Sequence, residues 1–154
     1  MTYQEILAEA IQLASGAHRG QLDKAGEPYI LHPIRVMMSF QPWQHIYRIV
    51  AIMHDTLEDT DITRKMLDDR QWPADIVEAI ELLTHPKGQP YNEYVSALCR
   101  PGRAYHLAQE VKRADILDNM SMERLIRLDQ HEIDRLTHKY SSALKILEDY
   151  ERSN

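Results

Sequence analysis

Glycine, proline, phenylalanine and cysteine are all scarce in this chain, with 5 Gly, 7 Pro, 1 Phe and 1 Cys among 154 residues. So few turn formers and aromatics argue against a β-sandwich and against a disordered tail. Cys99 has no partner for an internal disulfide, which agrees with a reducing compartment, and it reads as a small buried side chain. No stretch approaches the roughly 18 apolar residues of a membrane span. Met1-Thr2-Tyr3-Gln4-Glu5 also lacks the basic and apolar regions of a secretory leader, so a cytoplasmic protein without a membrane partner is expected. An excess of positive charge is missing as well. The formal net charge is −6, which argues against a nucleic-acid polymer as partner, because phosphate-backbone affinity depends on clustered Lys and Arg releasing counterions. A phosphorylated ligand would have to meet positive charge placed locally.

What is present suits an all-α protein. Hydrophobic residues make up 44% and charged residues 27%, and the expectation is a single domain over residues 1–154 with its own core. Thr2-x-x-Glu5 is a capping-box pattern, and Ile6, Leu7, Ala10, Ile11 and Ala14 behind it follow helical periodicity to about Ala17. Gly26, Pro28 and Pro33 mark a loop after it. Pro33 is placed to open a second helix, with His32 as its N-cap. A third helix is expected over roughly 44–58. Thr63 would cap a short helix to Asp69, and Pro73 would open one carrying Ile76, Val77, Ile80 and Leu83. Further helices are expected through Tyr94, Val95 and Leu98, from Ala104 to Met120, and from the Asp129-x-x-Glu132 cap to about Glu151. Trp43 and Trp72, each beside a proline break, are expected to plug helix junctions.

The most informative stretch is His54-Asp55-Thr56-Leu57-Glu58-Asp59-Thr60. On a continuous helix His54 would lie over Glu58 and Asp55 over Asp59, all leaving an apolar stripe of Ile46, Ile49, Val50 and Met53. An imidazole beside a carboxylate suits a divalent cation, and two carboxylates a turn later can orient or deprotonate its water. A solvated acidic helix end has the same local pattern. In Lys112-Arg113-Ala114-Asp115-Ile116-Leu117-Asp118-Asn119, Lys112, Asp115 and Asn119 share one face, a spacing that by itself fits an ordinary surface ion pair.

Together His32, His54, Asp55 and Asp115 form an H…HD…D series, which resembles the HD-domain metal-dependent phosphohydrolases. The segments Gln21 to Pro33, His54 to Thr60, and Val111 to Asp115 with Asn119 narrow the resemblance. They are similar to the hydrolase domain of the RelA/SpoT alarmone enzymes and to the small alarmone hydrolases of the Mesh1 type. The resemblance spans roughly Ala8 to Met120. It implies an all-α HD-domain helical bundle and one Mn²⁺ held by His32, His54, Asp55 and Asp115. It also implies that Glu58 and Asp59 act on the attacking water. Lys24 and Asn119 match substrate-contacting positions, Tyr140 matches a phosphate-contacting tyrosine, and Lys112 either touches substrate or fixes Asp115. The implied reaction removes the 3′-pyrophosphate of a (p)ppGpp-like nucleotide. The implied partner is that phosphorylated nucleotide, with homo-oligomerisation left open.

The chain departs from the family pattern on the nucleoside side. Asp23 stands where an arginine usually lies against the base, Met122 replaces a hydroxyl residue, and Asp118 replaces a bulkier neighbour. A carboxylate offers no cationic plane to a purine. Two alternatives therefore stay open, an HD-domain hydrolase of another nucleotide or phosphoester and a non-catalytic nucleotide-sensing module. A structural metal in an oligomer scaffold ranks last, because closed structural sites rarely keep spare carboxylates. The remaining histidines, His18, His45, His85, His106, His131 and His138, are expected in solvent or local hydrogen bonds.

Overall fold

The computed structural model describes residues 1–154 and contains ten helices and no strand. They are α1 (Tyr3–Ala17), α2 (Leu31–Met38), α3 (His45–Met53), α4 (Thr56–Asp59), α5 (Arg64–Asp68), α6 (Ala74–Leu82), α7 (Tyr91–Ala97), α8 (Arg103–Asn119), α9 (Met122–Leu125) and α10 (Gln130–Ser153). The all-α expectation holds.

Helix α3 is the axis of the bundle. Ile49, Val50, Ala51, Ile52 and Met53 are all buried, and a helix apolar on every side must be enclosed by others. Helices α1, α2, α6 and α8 pack around it, joining Ile6, Val36, Ile76, Ile80 and Val111 to one core. A smaller cluster joins α7, α8 and α10 through Tyr94, Val95, Ile116, Ala143 and Leu147. The cleft described below lies against both clusters.

Three caps behave as their sequences require. Thr2 and Glu5 form the reciprocal capping box of α1, Thr63 accepts from the Met66 N–H, and Asp129 accepts from the Glu132 N–H at 2.9 Å. Helix α2 begins earlier than expected. Ile30, not His32, is its N-cap, and His32 and Pro33 lie inside the first turn. Proline is tolerated there because the first backbone N–H groups of a helix have no intrahelical acceptor.

The continuous helix expected over 44–58 is broken. The His54 ring Nδ1 lies 2.7 Å from the Ala51 carbonyl and the Thr56 hydroxyl donates to the Met53 carbonyl at 2.7 Å. These side chains occupy carbonyls at the end of α3, and Asp55 joins α3 to α4 with φ −101° and ψ −1°. Two smaller corrections concern exposure. Trp43 is 71% exposed and plugs nothing, whereas Trp72 is buried and donates its indole N–H to Glu9 at 3.0 Å. Cys99 is half-buried.

The connection from Gln21 to Tyr29 doubles back on itself. A Leu22–Pro28 bridge, a Tyr29 N–H bond to the Gln21 carbonyl and an Asp23 N–H bond to the Glu27 carbonyl close it. Gly26 turns at φ +82°, a conformation that costs glycine little.

Candidate active site

The break after α3 sends its polar residues to two neighbouring groups. His54 joins His32 and Asp115, while Asp55 stays with Glu58 and Asp59, and within each group the ligand atoms lie within 4.8 Å of one another. Asp55 and Asp59 keep their shared face, with the Asp59 N–H bonded to the Asp55 carbonyl at 3.0 Å. His54 leaves the face it was expected to share with Glu58. Asp55 bridges the groups, its Oδ2 lying 3.0 Å from His54 Nε2 and 3.8 Å from His32 Nε2.

His54 is completely buried. Its Nδ1 donates to the Ala51 carbonyl, so the neutral ring carries its free lone pair on Nε2. That Nε2 has no well-directed hydrogen bond, although Asp55 and Asp115 carboxylate oxygens stand 3.0 Å and 3.3 Å away. A buried, unpartnered imidazole nitrogen facing two carboxylates and a second imidazole fits a divalent cation. Without the cation, burial disfavours the imidazolium, but Asp55 and Asp115 outweigh it and raise His54 well above the ordinary histidine range.

Each ligand candidate is held from behind. His32 Nδ1 lies 2.6 Å from Asp118 Oδ2, and Asp118 is itself gripped by Arg35 at 2.9 Å and 3.2 Å. Tyr29 donates its hydroxyl to Asp55 Oδ2 at 2.5 Å. Lys112 Nζ stands 2.8 Å from Asp115 Oδ2, and the Asn119 amide donates to Asp115 Oδ1 at 3.1 Å. Lys112 and Asp115 are both buried, which replaces the surface pair their spacing alone suggests. Burial pushes the Asp115 carboxyl up, yet Lys112 and His54 hold it well below the usual range.

The second group differs in solvation and charge. Burial, then the neighbouring Asp55 and Glu58 carboxylates, push Asp59 up to about 6. Glu58 accepts the His85 backbone N–H at 2.6 Å, which fixes it at the cleft edge. The cleft has a volume of about 550 Å³, and it brings His32, Asp55, Glu58, Asp59 and Asp115 together with Lys24, Lys112, Asn119 and Tyr140.

No family model matches the chain. The guanosine-3′,5′-bis(diphosphate) 3′-pyrophosphohydrolase of Aquifex aeolicus is 32% identical over 127 residues, covering 77% of this chain and 18% of that protein. The zebrafish (Danio rerio) protein of that name, MESH1, is 29% identical over 153 residues, covering 95% of this chain and 79% of the relative. The chain is a homologue of the ppGpp hydrolases. A solved structure, described as a metazoan ortholog of SpoT that hydrolyzes ppGpp, aligns with TM-score 0.74 at 22% identity over 92% of this chain and 85% of that one, which shows the shared helical HD-type fold. The Aquifex relative is much longer, and this chain spans 18% of its length.

All the sequence-nominated site residues except the fully buried His54 line one cleft, but some face each other more than open space. Lys24 pairs with Glu132 at 2.6 Å, and Asn119 is occupied by Asp115 and by Arg124, which donates to its carbonyl oxygen at 2.8 Å. Asp23 is also occupied. Its Oδ1 accepts the Ala25 and Glu27 N–H groups at 2.9 Å and 3.0 Å, so it closes the loop that carries Lys24.

Sequence reasoning missed several residues. Tyr29 sat inside the quoted Pro-Tyr motif without a role, although its spacing from His32 was visible. His85 was expected in solvent or local bonding. Its ring Nε2 indeed meets the Gln89 carbonyl at 2.6 Å, while its backbone holds Glu58 and its ring stacks on Tyr94 at 4.7 Å. Tyr91 and Lys139 had no local signal.

Proposed function

We propose that this chain is a divalent-metal-dependent phosphohydrolase, with Mn²⁺ as the working ion, that removes the 3′-pyrophosphate of guanosine 3′,5′-bis(diphosphate) or a close relative. The observation carrying this reading is the buried, unpartnered His54 Nε2 facing His32, Asp55 and Asp115. These four residues would hold the ion. Residues 1–154 act in this reading as one HD-type unit.

When bound, the metal would supply Lewis acidity, polarising a phosphoryl oxygen and acidifying a water. The chain supplies the rest. Asp59, already raised toward neutrality, is matched to accept a proton from the attacking water, and Glu58, anchored by the His85 N–H, orients that water. The water oxygen forms a bond to the phosphorus nearest the ribose, the 3′-oxygen–phosphorus bond breaks, and pyrophosphate leaves. A proton returns to the freed 3′-oxygen.

Lys112 and Asn119 act first on Asp115, which they orient from opposite oxygens. Lys24 and Tyr140 line the cleft toward the substrate side. Asp23 spends its carboxylate on its own loop, so it neither stacks on a purine nor stands free to repel a phosphate. Nothing at Asp23 selects guanine over adenine, so the same chemistry on an adenosine 3′,5′-polyphosphate is the second form of the reading.

The test is pyrophosphate release by purified protein with Mn²⁺ from guanosine and adenosine 3′,5′-polyphosphates, with Asp55→Ala as control. Release from one panel that requires both metal and Asp55 supports the hydrolase and names the base. Nucleotide binding without release would favour the sensing module.

A further inference from the structure

Six cationic side chains line the cleft, and five of them are ion-paired with a carboxylate. Lys24 pairs with Glu132, Arg35 and Arg124 with Asp118, Lys112 with Asp115, and Arg127 with Glu27. Lys139 makes no ion pair. Its side chain is half-buried and its ammonium rests on aromatic faces, 4.4 Å from the Tyr91 ring centroid and 5.2 Å from that of Tyr140.

A partly desolvated ammonium without a counter-ion is costly, and aromatic faces compensate only in part. Its surroundings make the cost greater. Burial, then Arg135 and Lys112, push the Lys139 pKa down, and the one carboxylate that opposes this, Asp115, is committed to Lys112, His32 and Asn119. The cleft is therefore polarised. Asp55, Glu58 and Asp59 make one wall acidic, while Lys139, on α10, brings an unpaired positive charge to another in a protein of net charge −6. An incoming anion would restore balance where the ammonium now has none.

We propose that Lys139, seated on Tyr91 and Tyr140, binds a phosphate group of the substrate other than the one hydrolysed at the metal. The inference rests on the hydrolase reading and deepens it, because it requires a substrate phosphorylated at two separate positions. Lys139 is then a specificity residue, distinguishing nucleotides with a distal phosphate from those that carry only the scissile group. Tyr91 is a positioning residue, which holds the ammonium over its ring.

The test compares the Mn²⁺-loaded full chain with Lys139→Gln and Lys139→Arg on two substrates, guanosine 3′,5′-bis(diphosphate) and the 3′-diphosphate lacking 5′-phosphates, or their adenosine counterparts if that base is preferred. Loss of one charge-assisted contact made equally in ground and transition states should raise KM about tenfold for the doubly phosphorylated substrate, with kcat within about twofold. The singly phosphorylated substrate should be unaffected by Lys139→Gln, and Lys139→Arg should restore most of the difference. An equal loss on both substrates, or no loss on either, overturns the proposal.

If the wild-type protein hydrolyses neither panel, the hydrolase reading fails separately. Calorimetric titration with the same two nucleotides then decides the Lys139 site. A wild-type preference for the doubly phosphorylated ligand that Lys139→Gln abolishes supports it, and equal affinities in the wild type overturn it.

Discussion

Asp118 Oδ2 lies 2.6 Å from His32 Nδ1, across 86 residues of sequence, with Arg35 gripping the far side of the same carboxylate. This contact fixes a proton on Nδ1 and leaves Nε2 for a cation, as carboxylates do behind many metal-binding histidines. Asp118→Ala should therefore weaken Mn²⁺ binding by about tenfold or more. Calorimetric titration of the purified variant measures the loss, and a change in the His32 ring ¹⁵N shifts reports the altered tautomer. Unchanged affinity and shifts would mean that α2 packing alone orients the ring.

The two acidic groups predict a split between binding and rate. Asp55 touches both histidines of the first group, whereas Glu58 is held at the cleft edge by the His85 N–H. Asp55→Ala should lose both metal and turnover. Glu58→Ala should retain metal while kcat falls by about 10²-fold, the usual scale for a residue acting on the water. Metal content by mass spectrometry beside steady-state rates separates the two outcomes, and equal metal loss in both variants would reverse the assigned roles.

Much of this site was legible because motifs preserve residue types at fixed short spacings. His32, His54, Asp55 and Asp115 could be nominated without coordinates, and the caps at Thr2, Thr63 and Asp129 follow from local bonding alone. The break at His54 was hidden. It arises because the His54 and Thr56 side chains take backbone carbonyls, a choice stabilised by what surrounds them. Spacing likewise brought Lys112 to Asp115 but could not reveal their burial, and nothing local joins Asp118 to His32. Trp43 shows the converse error, since a proline break beside an aromatic does not ensure a neighbouring helix to cover it.

Asp59 predicts opposite effects on stability and activity. Its folded pKa of about 6 exceeds the unfolded value of roughly 3.9, so the folded state binds more protons between these limits. Its contribution to stability therefore falls as pH rises from about 4 to about 6 and stays lowered above that window. Asp59→Asn should stabilise the metal-free protein at pH 7 by an amount on the order of 1 kcal/mol, because solvent screens a group that is only partly covered. Turnover should fall despite that gain. Denaturant melts with chelator across this pH range provide the check, and a difference between variant and wild type that stays constant from pH 4 to 7 would show that Asp59 is fully solvated.

Lys112 predicts how metal and protein charge substitute for one another. Its ammonium is buried against Asp115 at 2.8 Å, and Lys112→Met would leave that carboxylate with only histidine and amide partners. Breaking such a pair from one side costs about 3 kcal/mol, so the metal-free variant should melt well below the wild type. A divalent cation held by Asp115 would supply positive charge to the same carboxylate. Adding Mn²⁺ should thus raise the melting temperature of Lys112→Met more than that of the wild type, even though binding alone stabilises any protein by about 2.7 kcal/mol at one hundred times Kd. Calorimetric melts with and without Mn²⁺, at matched saturation, measure the difference. Equal metal-induced shifts would place the ion's charge away from Asp115, and the four-residue ligand set would lose that member.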